Sequence, residues 1–147
     1  TAAHAYIFRL SWVYDERGKN FLNTMLRLGA EREELKIVAD QIGAPTYAGD
    51  IAEYTLKALE NTGALSGVYH LVNRGETSWY DFAKAIFDEA KRYHHPLTLK
   101  AVHPILTKDY PTPALRPKNS RLNTDKFCAT FSVTLPHWKD ALARCMK

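Results

Sequence analysis

The sequence predicts an α/β fold in which at least some strands run parallel. Three observations carry this prediction. Short segments rich in β-branched and aromatic residues alternate with segments of helical periodicity, most strand-like segments end in a polar loop marked by Gly or Pro, and the order reads β-α-β-α-β-α-β-α-α. With 147 residues, 46% hydrophobic and 24% charged, the chain is long enough for a single domain with a real core and falls outside the disordered and fibrous classes. It shows no internal repeat and no run near the roughly 20 apolar residues of a membrane span. Arg9 interrupts the first apolar segment, which argues against a signal peptide, so a cytoplasmic location is expected. Cys128 and Cys145 lie on what read as two separate helices, and neither spacing nor context suggests a disulfide.

Residues 5 to 14 read as one strand, buried on both faces for most of its length, and it ends in the charged loop Asp15 to Lys19. Along it Trp12 and Tyr14 share one face, with Ser11 and Val13 on the other. Asn20 is a good N-cap for a helix from Phe21 to about Glu34, with Leu22, Met25, Leu26 and Gly29 as its inward stripe. A short strand at Lys36 to Ala39 leads into the loop Asp40 to Tyr47. The next helix starts at Gly49 or Asp50, buries Ile51, Tyr54, Ala58 and Leu59, and stops at Asn61-Thr62-Gly63. Gly67 to Val72 is a strand. Ser78 with Asp81 resembles a capping box for a helix to about Tyr93, with Phe82, Ile86 and Ala90 inward and His94-His95-Pro96 as its stop. Leu97 to Val102 is a strand, followed by a proline-rich connection. Thr124 caps a short helix containing Phe127, and Pro136 suits the first turn of a closing helix with Trp138, Ala141, Leu142 and Cys145 inward.

The formal net charge is +4, yet Lys and Arg are interleaved with Asp and Glu almost everywhere. The one biased segment is Arg116-Pro117-Lys118-Asn119-Ser120-Arg121. Three or four cations are few for a duplex and suit a diphosphate, so no nucleic-acid partner is expected. Proline stiffening lowers the entropy cost of holding Arg116 and Arg121, and guanidinium groups bind phosphate bidentately. Loops at the carboxyl ends of strands are where open α/β sheets bind ligands. There Trp12 offers a stacking surface, and the loop Asp40 to Thr46 offers an amide and a hydroxyl suited to a base or ribose. The six histidines are scattered, and no zinc site is expected. Neither a Gly-x-Gly-x-x-Gly turn, nor a P-loop, nor a Gly-x-Ser-x-Gly elbow occurs.

Laid end to end, Arg9-Leu10-Ser11-Trp12-Val13-Tyr14, Gly18-Lys19-Asn20-Phe21, Thr24-Met25-Leu26-Arg27-Leu28, Asp40-Gln41-Ile42-Gly43-Ala44-Pro45-Thr46, Gly67-Val68-Tyr69-His70-Leu71-Val72, Tyr110-Pro111-Thr112-Pro113-Ala114 and Arg116-Pro117-Lys118-Asn119-Ser120-Arg121-Leu122 resemble the dTDP-4-dehydrorhamnose reductase family of extended short-chain dehydrogenase/reductases. The resemblance spans essentially the whole chain and corresponds to the C-terminal half of such an enzyme. It implies the C-terminal part of a Rossmann-type sheet plus a small α/β substrate-binding subdomain, read as one region over residues 1–147, with the dinucleotide-binding half absent. It also implies the family reaction, NAD(P)H reduction of dTDP-6-deoxy-L-lyxo-4-hexulose to dTDP-L-rhamnose. The family's catalytic Tyr-x-x-x-Lys and its Ser/Thr partner are expected in the other half, so no catalytic residue and no bound NADPH or NADH are expected here. By position Trp12 resembles the family's sugar-contacting tryptophan, while Asn20, Gln41, Thr46, Arg116, Asn119 and Arg121 resemble parts of the nucleotide-sugar cleft. Two departures stand out. Leu10 replaces a small polar residue, and Gly49 stands where some relatives carry a metal-holding glutamate, so no metal is expected.

Three expectations follow. The chain is the substrate-binding part of a reductase and binds a dTDP-deoxysugar, or it is a non-catalytic nucleotide-sugar-binding or regulatory protein of the same descent. The first strand is an edge or exposes an apolar face where a further sheet would sit, and self-association through that face is the third expectation.

Overall fold

The computed structural model describes residues 5–61, 63–114 and 116–147. Residues 1–4, Thr62 and Leu115 lie outside the described residues, and with them His4 and the middle of the predicted stop at Asn61-Thr62-Gly63. In chain order the elements are β1 (Tyr6–Arg9), β2 (Val13–Tyr14), α1 (Phe21–Glu31), β3 (Glu34–Val38), β4 (Ile42–Gly43), β5 (Thr46–Tyr47), α2 (Ala48–Glu60), β6 (Gly67–His70), β7 (Thr77–Ser78), α3 (Trp79–Arg92), β8 (Ala101–Ile105), α4 (Asp125–Phe131) and α5 (Trp138–Cys145), with a 3-10 turn at Thr107–Asp109. The strands form four two-stranded ladders. β1–β6, β2–β5 and β3–β8 are parallel, and β4–β7 is antiparallel. This is the mixed α/β architecture with parallel pairs that the alternation of segments predicts.

The predicted strand over residues 5 to 14 is two strands, and it is not buried on both faces. Trp12 has φ +48°, a left-handed setting that a bulky residue rarely adopts. The break hands the chain from its β6 partner to its β5 partner. Burial along β1 alternates, with Tyr6 and Phe8 turned inward and Ile7 59% exposed. No strand among the described residues pairs with the second edge of β1.

Other boundaries shift for local reasons. α1 ends at Glu31 because Arg32 is extended and donates its N–H back to Leu28 O at 2.9 Å, which frees Glu34 to start β3. The strand predicted at Leu97 to Val102 lies at Ala101–Ile105, in register with β3 through Leu35↔Val102 and Ile37↔Pro104. Pro104 lacks an N–H, which is tolerated because β8 has β3 as its one ladder partner. Asn20 and Ser78 cap as predicted: Asn20 Oδ1 accepts from Asn23 N at 3.1 Å, and Ser78 Oγ accepts from Asp81 N at 3.0 Å. Thr124 makes no side-chain cap, and Asn123 Oδ1 takes the Asp125 N–H instead, at 2.7 Å. α5 starts two residues after Pro136, capped by His137 Nδ1, which accepts from Lys139 N at 3.2 Å.

Two cores result. The first lies between α1, α3, α5 and β3, and Tyr14, Leu22, Ile37, Phe82, Ile86 and Trp138 fill it. The second lies under the β1–β6 ladder. There Phe8 meets Phe127 edge-on at 5.6 Å and 78°, and Tyr6 meets Phe131 at 5.6 Å and 80°. Fully burying a side chain such as Phe82 or Phe127 contributes about 1.5–3 kcal/mol. The predicted inward stripes of α1, α3 and α5 are buried almost throughout. In α2 the predicted stripe holds at Ile51, Tyr54 and Ala58, which pack onto the second core, while Leu59 is 61% exposed. Asp50, on the adjacent side of the first turn, is also buried, held by Asn73 Nδ2 at 2.6 Å and by the Arg144 guanidinium.

Candidate functional site

A cleft of about 940 Å3 runs along β3, all five residues of which line it. α1 supplies an apolar wall through Phe21, Met25 and Leu28, and Trp79 at the start of α3 closes one end. The proline-rich segment after the 3-10 turn contributes Tyr110, Thr112 and Arg116. Arg32, Lys36 and Arg116 bring cations to the rim, against Glu34 and Asp109. The site is therefore a mostly apolar slot with a few charged groups at its mouth, the composition usual for small-molecule sites.

At its closed end the indoles of Trp12 and Trp79 are stacked, with centroids 3.7 Å apart and planes 14° from parallel. Gly43 makes room for Trp12, since a Cβ there would lie 2.7 Å from the Trp12 ring. Gln41 is buried; its Oε1 accepts from Trp79 Nε1 at 3.2 Å, and its Nε2 donates to Thr107 Oγ1 at 3.2 Å. Thr107 donates its hydroxyl to Asp40 Oδ1 at 2.6 Å, and Lys118 faces the other Asp40 oxygen at 3.4 Å. The Thr107 hydroxyl, ahead of Lys118, holds the Asp40 carboxyl below its ordinary range.

The seven residues singled out in the sequence fall into distinct places. Gln41 and Arg116 line the cleft, and Trp12 stands directly behind Trp79. Asn119 sits opposite Ile42 in a bridge whose backbone bonds, Ile42 N to Lys118 O and Ser120 N to Ile42 O at 2.8 Å each, tie the basic segment to the 40 to 46 loop, while Asn119 Oδ1 accepts from Arg121 N at 3.1 Å within the segment. Arg121 is committed to Glu76 in a two-pronged pair: Nε to one carboxylate oxygen and Nη2 to the other at 3.1 Å. That contact holds Glu76 below its ordinary value. Thr46 is not on the cleft surface. It is fully buried, donates to Ala44 O at 3.2 Å, and accepts from Asn73 N at 3.4 Å. Asn20 is likewise taken up locally, since its Nδ2 donates to Asp15 O at 2.8 Å and Arg17 O at 3.0 Å. It shapes the loop after β2. Tyr110 opens the proline-rich segment already quoted, whereas Trp79 and Thr107 carry no such mark in the sequence; the one signal pointing toward Trp79 is its place directly after the helix-capping Ser78.

Contrary to the expectation that Tyr-x-x-x-Lys lies wholly in the other half, one such spacing occurs in this chain, at Tyr80 and Lys84. Both side chains lie on the outer side of α3, with Lys84 Nζ 5.2 Å from the centre of the Tyr80 ring. They border a shallow depression of about 200 Å3, separate from the cleft. The pair is a cation-π contact on a helix surface.

Around Tyr14 the chain carries a further buried group. Tyr14 Oη has no hydrogen-bond partner among the described residues, and burial, ahead of the nearby Cys145 and Asp50, pushes its phenol up. Asp15, Glu16 and Cys145 bring their ligand atoms within 4.8 Å of one another. Burial, followed by the charges of Glu16 and Asp15, pushes the Cys145 thiol up to about 12. At Gly49 a Cβ would lie 2.5 Å from the Tyr47 ring, so a longer side chain there would displace Tyr47. No helix among the described residues is long and apolar enough to cross a membrane.

A family model described as the RmlD substrate binding domain matches residues 1–147. The dTDP-4-dehydrorhamnose reductase of Escherichia coli strain K12 is 48% identical over 143 residues, covering 95% of this chain and 48% of that protein. The spore coat polysaccharide biosynthesis protein SpsK of Bacillus subtilis is 37% identical, covering 97% of this chain and 47% of its own length. The chain spans about half the length of the curated relatives it matches. Among solved structures, the dTDP-4-dehydrorhamnose reductase of Bacillus anthracis, in complex with NADP, superposes with a TM-score of 0.84 at 38% identity, over 95% of this chain and 46% of that one. The Clostridium acetobutylicum enzyme of the same name gives 0.85 at 37% identity, over 96% and 47%. The UDP-N-acetylglucosamine 4-epimerase of Bacillus cereus, at 14% identity and a TM-score of 0.67, shares the fold.

Proposed function

This chain belongs to the RmlD substrate binding domain family, and we propose on that premise that it forms the sugar-nucleotide side of a dTDP-4-dehydrorhamnose reductase. The observation that carries the reading is the cleft itself: an apolar slot closed by a stacked indole pair and edged by Arg116, Lys36 and Arg32. Such a slot suits a dTDP-deoxysugar. The sugar lies toward the Trp12–Trp79 end, and the diphosphate lies at the cationic rim, where the exposed Arg116, without an ion-pair partner among the described residues, can fork two phosphate oxygens. Gln41, Asn119 and Arg121 hold the walls, and Thr46 and Asn20 hold the loops beneath them.

Reduction of the 4-keto group is the work of the whole reductase. The chain has no glycine-rich turn to cradle a dinucleotide pyrophosphate, so the NADPH or NADH and the proton-donating tyrosine belong to another half of the enzyme. The edge of β1 left unpaired among the described residues and the outward Ile7 support the reading that this half docks there, extending the ladder by a parallel strand. In its absence a second copy of the chain competes for the same face.

Calorimetric titration of the 147-residue chain with dTDP-rhamnose tests the reading. Saturable heat is expected without turnover of NADPH, and a flat titration up to hundreds of micromolar would sink it. Light scattering reads the other claim. A species heavier than one chain that shrinks on adding the dinucleotide-binding half is expected, and a monomer that ignores that half would remove the docking proposal.

A further inference from the structure

Trp79 stands where the parts of the cleft meet. One face of its indole covers Trp12, and Phe21 approaches it at 4.6 Å and 47°. Trp79 lines the cleft, and Trp12 lies behind it against Gly43. Proton bookkeeping fixes the orientation of the group that holds Trp79. The Thr107 hydroxyl hydrogen is given to Asp40, so Thr107 Oγ1 is left to accept from the amide nitrogen of Gln41. That turns Gln41 Oε1 toward Trp79 Nε1–H, a group that can only donate. Donors and acceptors therefore run in one sense from Trp79 through Gln41 and Thr107 to Asp40, and Lys118 of the basic segment faces the end of the run. Meanwhile Trp12 keeps a left-handed backbone, a setting that persists only when its surroundings over-determine it.

We infer that Trp79, locked by Gln41, is the positioning residue that fixes the Trp12 indole and thereby sets how tightly the closed end of the cleft holds the sugar. The inference rests on the nucleotide-sugar reading above and deepens it. A ring pair clamped by a directed hydrogen-bond run is set before the ligand arrives, so stacking a sugar against it costs little ordering. On this inference the effect of the pair falls on the sugar, so the nucleotide without a sugar is expected to bind almost unchanged.

The test compares the unmutated chain with Trp79→Leu, Trp79→Phe and Gln41→Leu. The readouts are the circular-dichroism exciton couplet of stacked indoles and the calorimetric affinities for dTDP-rhamnose and for dTDP. The unmutated chain is expected to show the couplet. Trp79→Leu is expected to lose it and to weaken dTDP-rhamnose about tenfold or more, while dTDP changes by less than about threefold. Trp79→Phe restores most of the dTDP-rhamnose affinity without the couplet, and Gln41→Leu falls between. If Trp79→Leu fails to melt cooperatively, Trp79→Phe and Gln41→Leu carry the same comparison. Unchanged dTDP-rhamnose affinity in the variants, equal losses for both ligands, or no couplet in the unmutated chain overturns the inference while leaving the functional reading in place. An unmutated chain that binds neither ligand overturns the functional reading, and the inference falls with it.

Discussion

The β1–β6 and β3–β8 ladders are built alike and end differently. Each is a two-stranded parallel pair, and burial alternates along β1 and β3. β3 turns Leu35 and Ile37 onto the first core, and the chain beyond β8 supplies Tyr110, Thr112 and Arg116 to wall a cleft along the same strand. β1 turns Tyr6 and Phe8 onto Phe127 and Phe131, yet Ile7 on its other face stays bare and its second edge unpaired among the described residues. Parallel ladders are stable when covered on both faces, and a two-stranded one is marginal alone. The difference shows that the same alternation serves two ends: at β3 the core-facing Leu35 and Ile37 also line the cleft, whereas at β1 the residues opposite the core stay bare.

The largest expected effect tests whether the two regions are one folding unit. Phe82→Ala in the first core and Phe127→Ala in the second each remove a fully buried ring. Each is expected to cost about 3–5 kcal/mol in denaturant unfolding. One shared transition for both variants is expected; two transitions, with Phe127→Ala shifting only one, would separate the ladders into independent units.

Next in size is Gly43→Ala, which acts on the cleft side alone. The added methyl meets the Trp12 ring, and a cost of about 1–3 kcal/mol is expected, together with loss of the indole couplet. An intact couplet would show that the close approach of Gly43 and Trp12 does not hold the stack.

A smaller effect is electrostatic. Asp40 is held low chiefly by the Thr107 hydroxyl, so its contribution is present above the ordinary aspartate pKa and is lost as pH falls through the lower folded value. Thr107→Val is expected to raise the Asp40 pKa toward its ordinary value in a carboxyl-carbon NMR titration. An unmoved titration would place the cause elsewhere.

The smallest expected effect belongs to the seam. Ile7→Ser changes a residue that is 59% exposed, so stability of the chain alone is expected to move by less than about 0.5 kcal/mol, while self-association seen by light scattering weakens. A large loss of stability would mean that the β1 face is covered within the chain.

Much of this was legible in local patterns. The stripes Leu22-Met25-Gly29, Phe82-Ile86-Ala90 and Trp138-Ala141-Leu142-Cys145 are helical repeats, and Asn20 and Ser78 announce helix starts through bonds that span three residues. Boundaries failed where a long-range partner set them. β8 lies further along the chain, where it meets β3, and the residue 5 to 14 strand breaks at Trp12 to reach a second partner. In the site, Gln41 and Arg116 line the cleft, whereas Thr46 is spent inside and Arg121 is taken by Glu76.

By itself the sequence determined the capped helices and the apolar stripes, because each is carried by residues within a turn or two of one another, and it determined the α/β alternation and the family resemblance, because these are read from the order of such local segments along the chain. The tertiary structure alone decided that Trp79 covers Trp12, that Gln41 aims its oxygen at an indole 38 residues away, and that Arg121 pairs with Glu76 across 45 residues. Those contacts depend on how α3 settles against α1 and β3, and no periodicity in the chain records that packing.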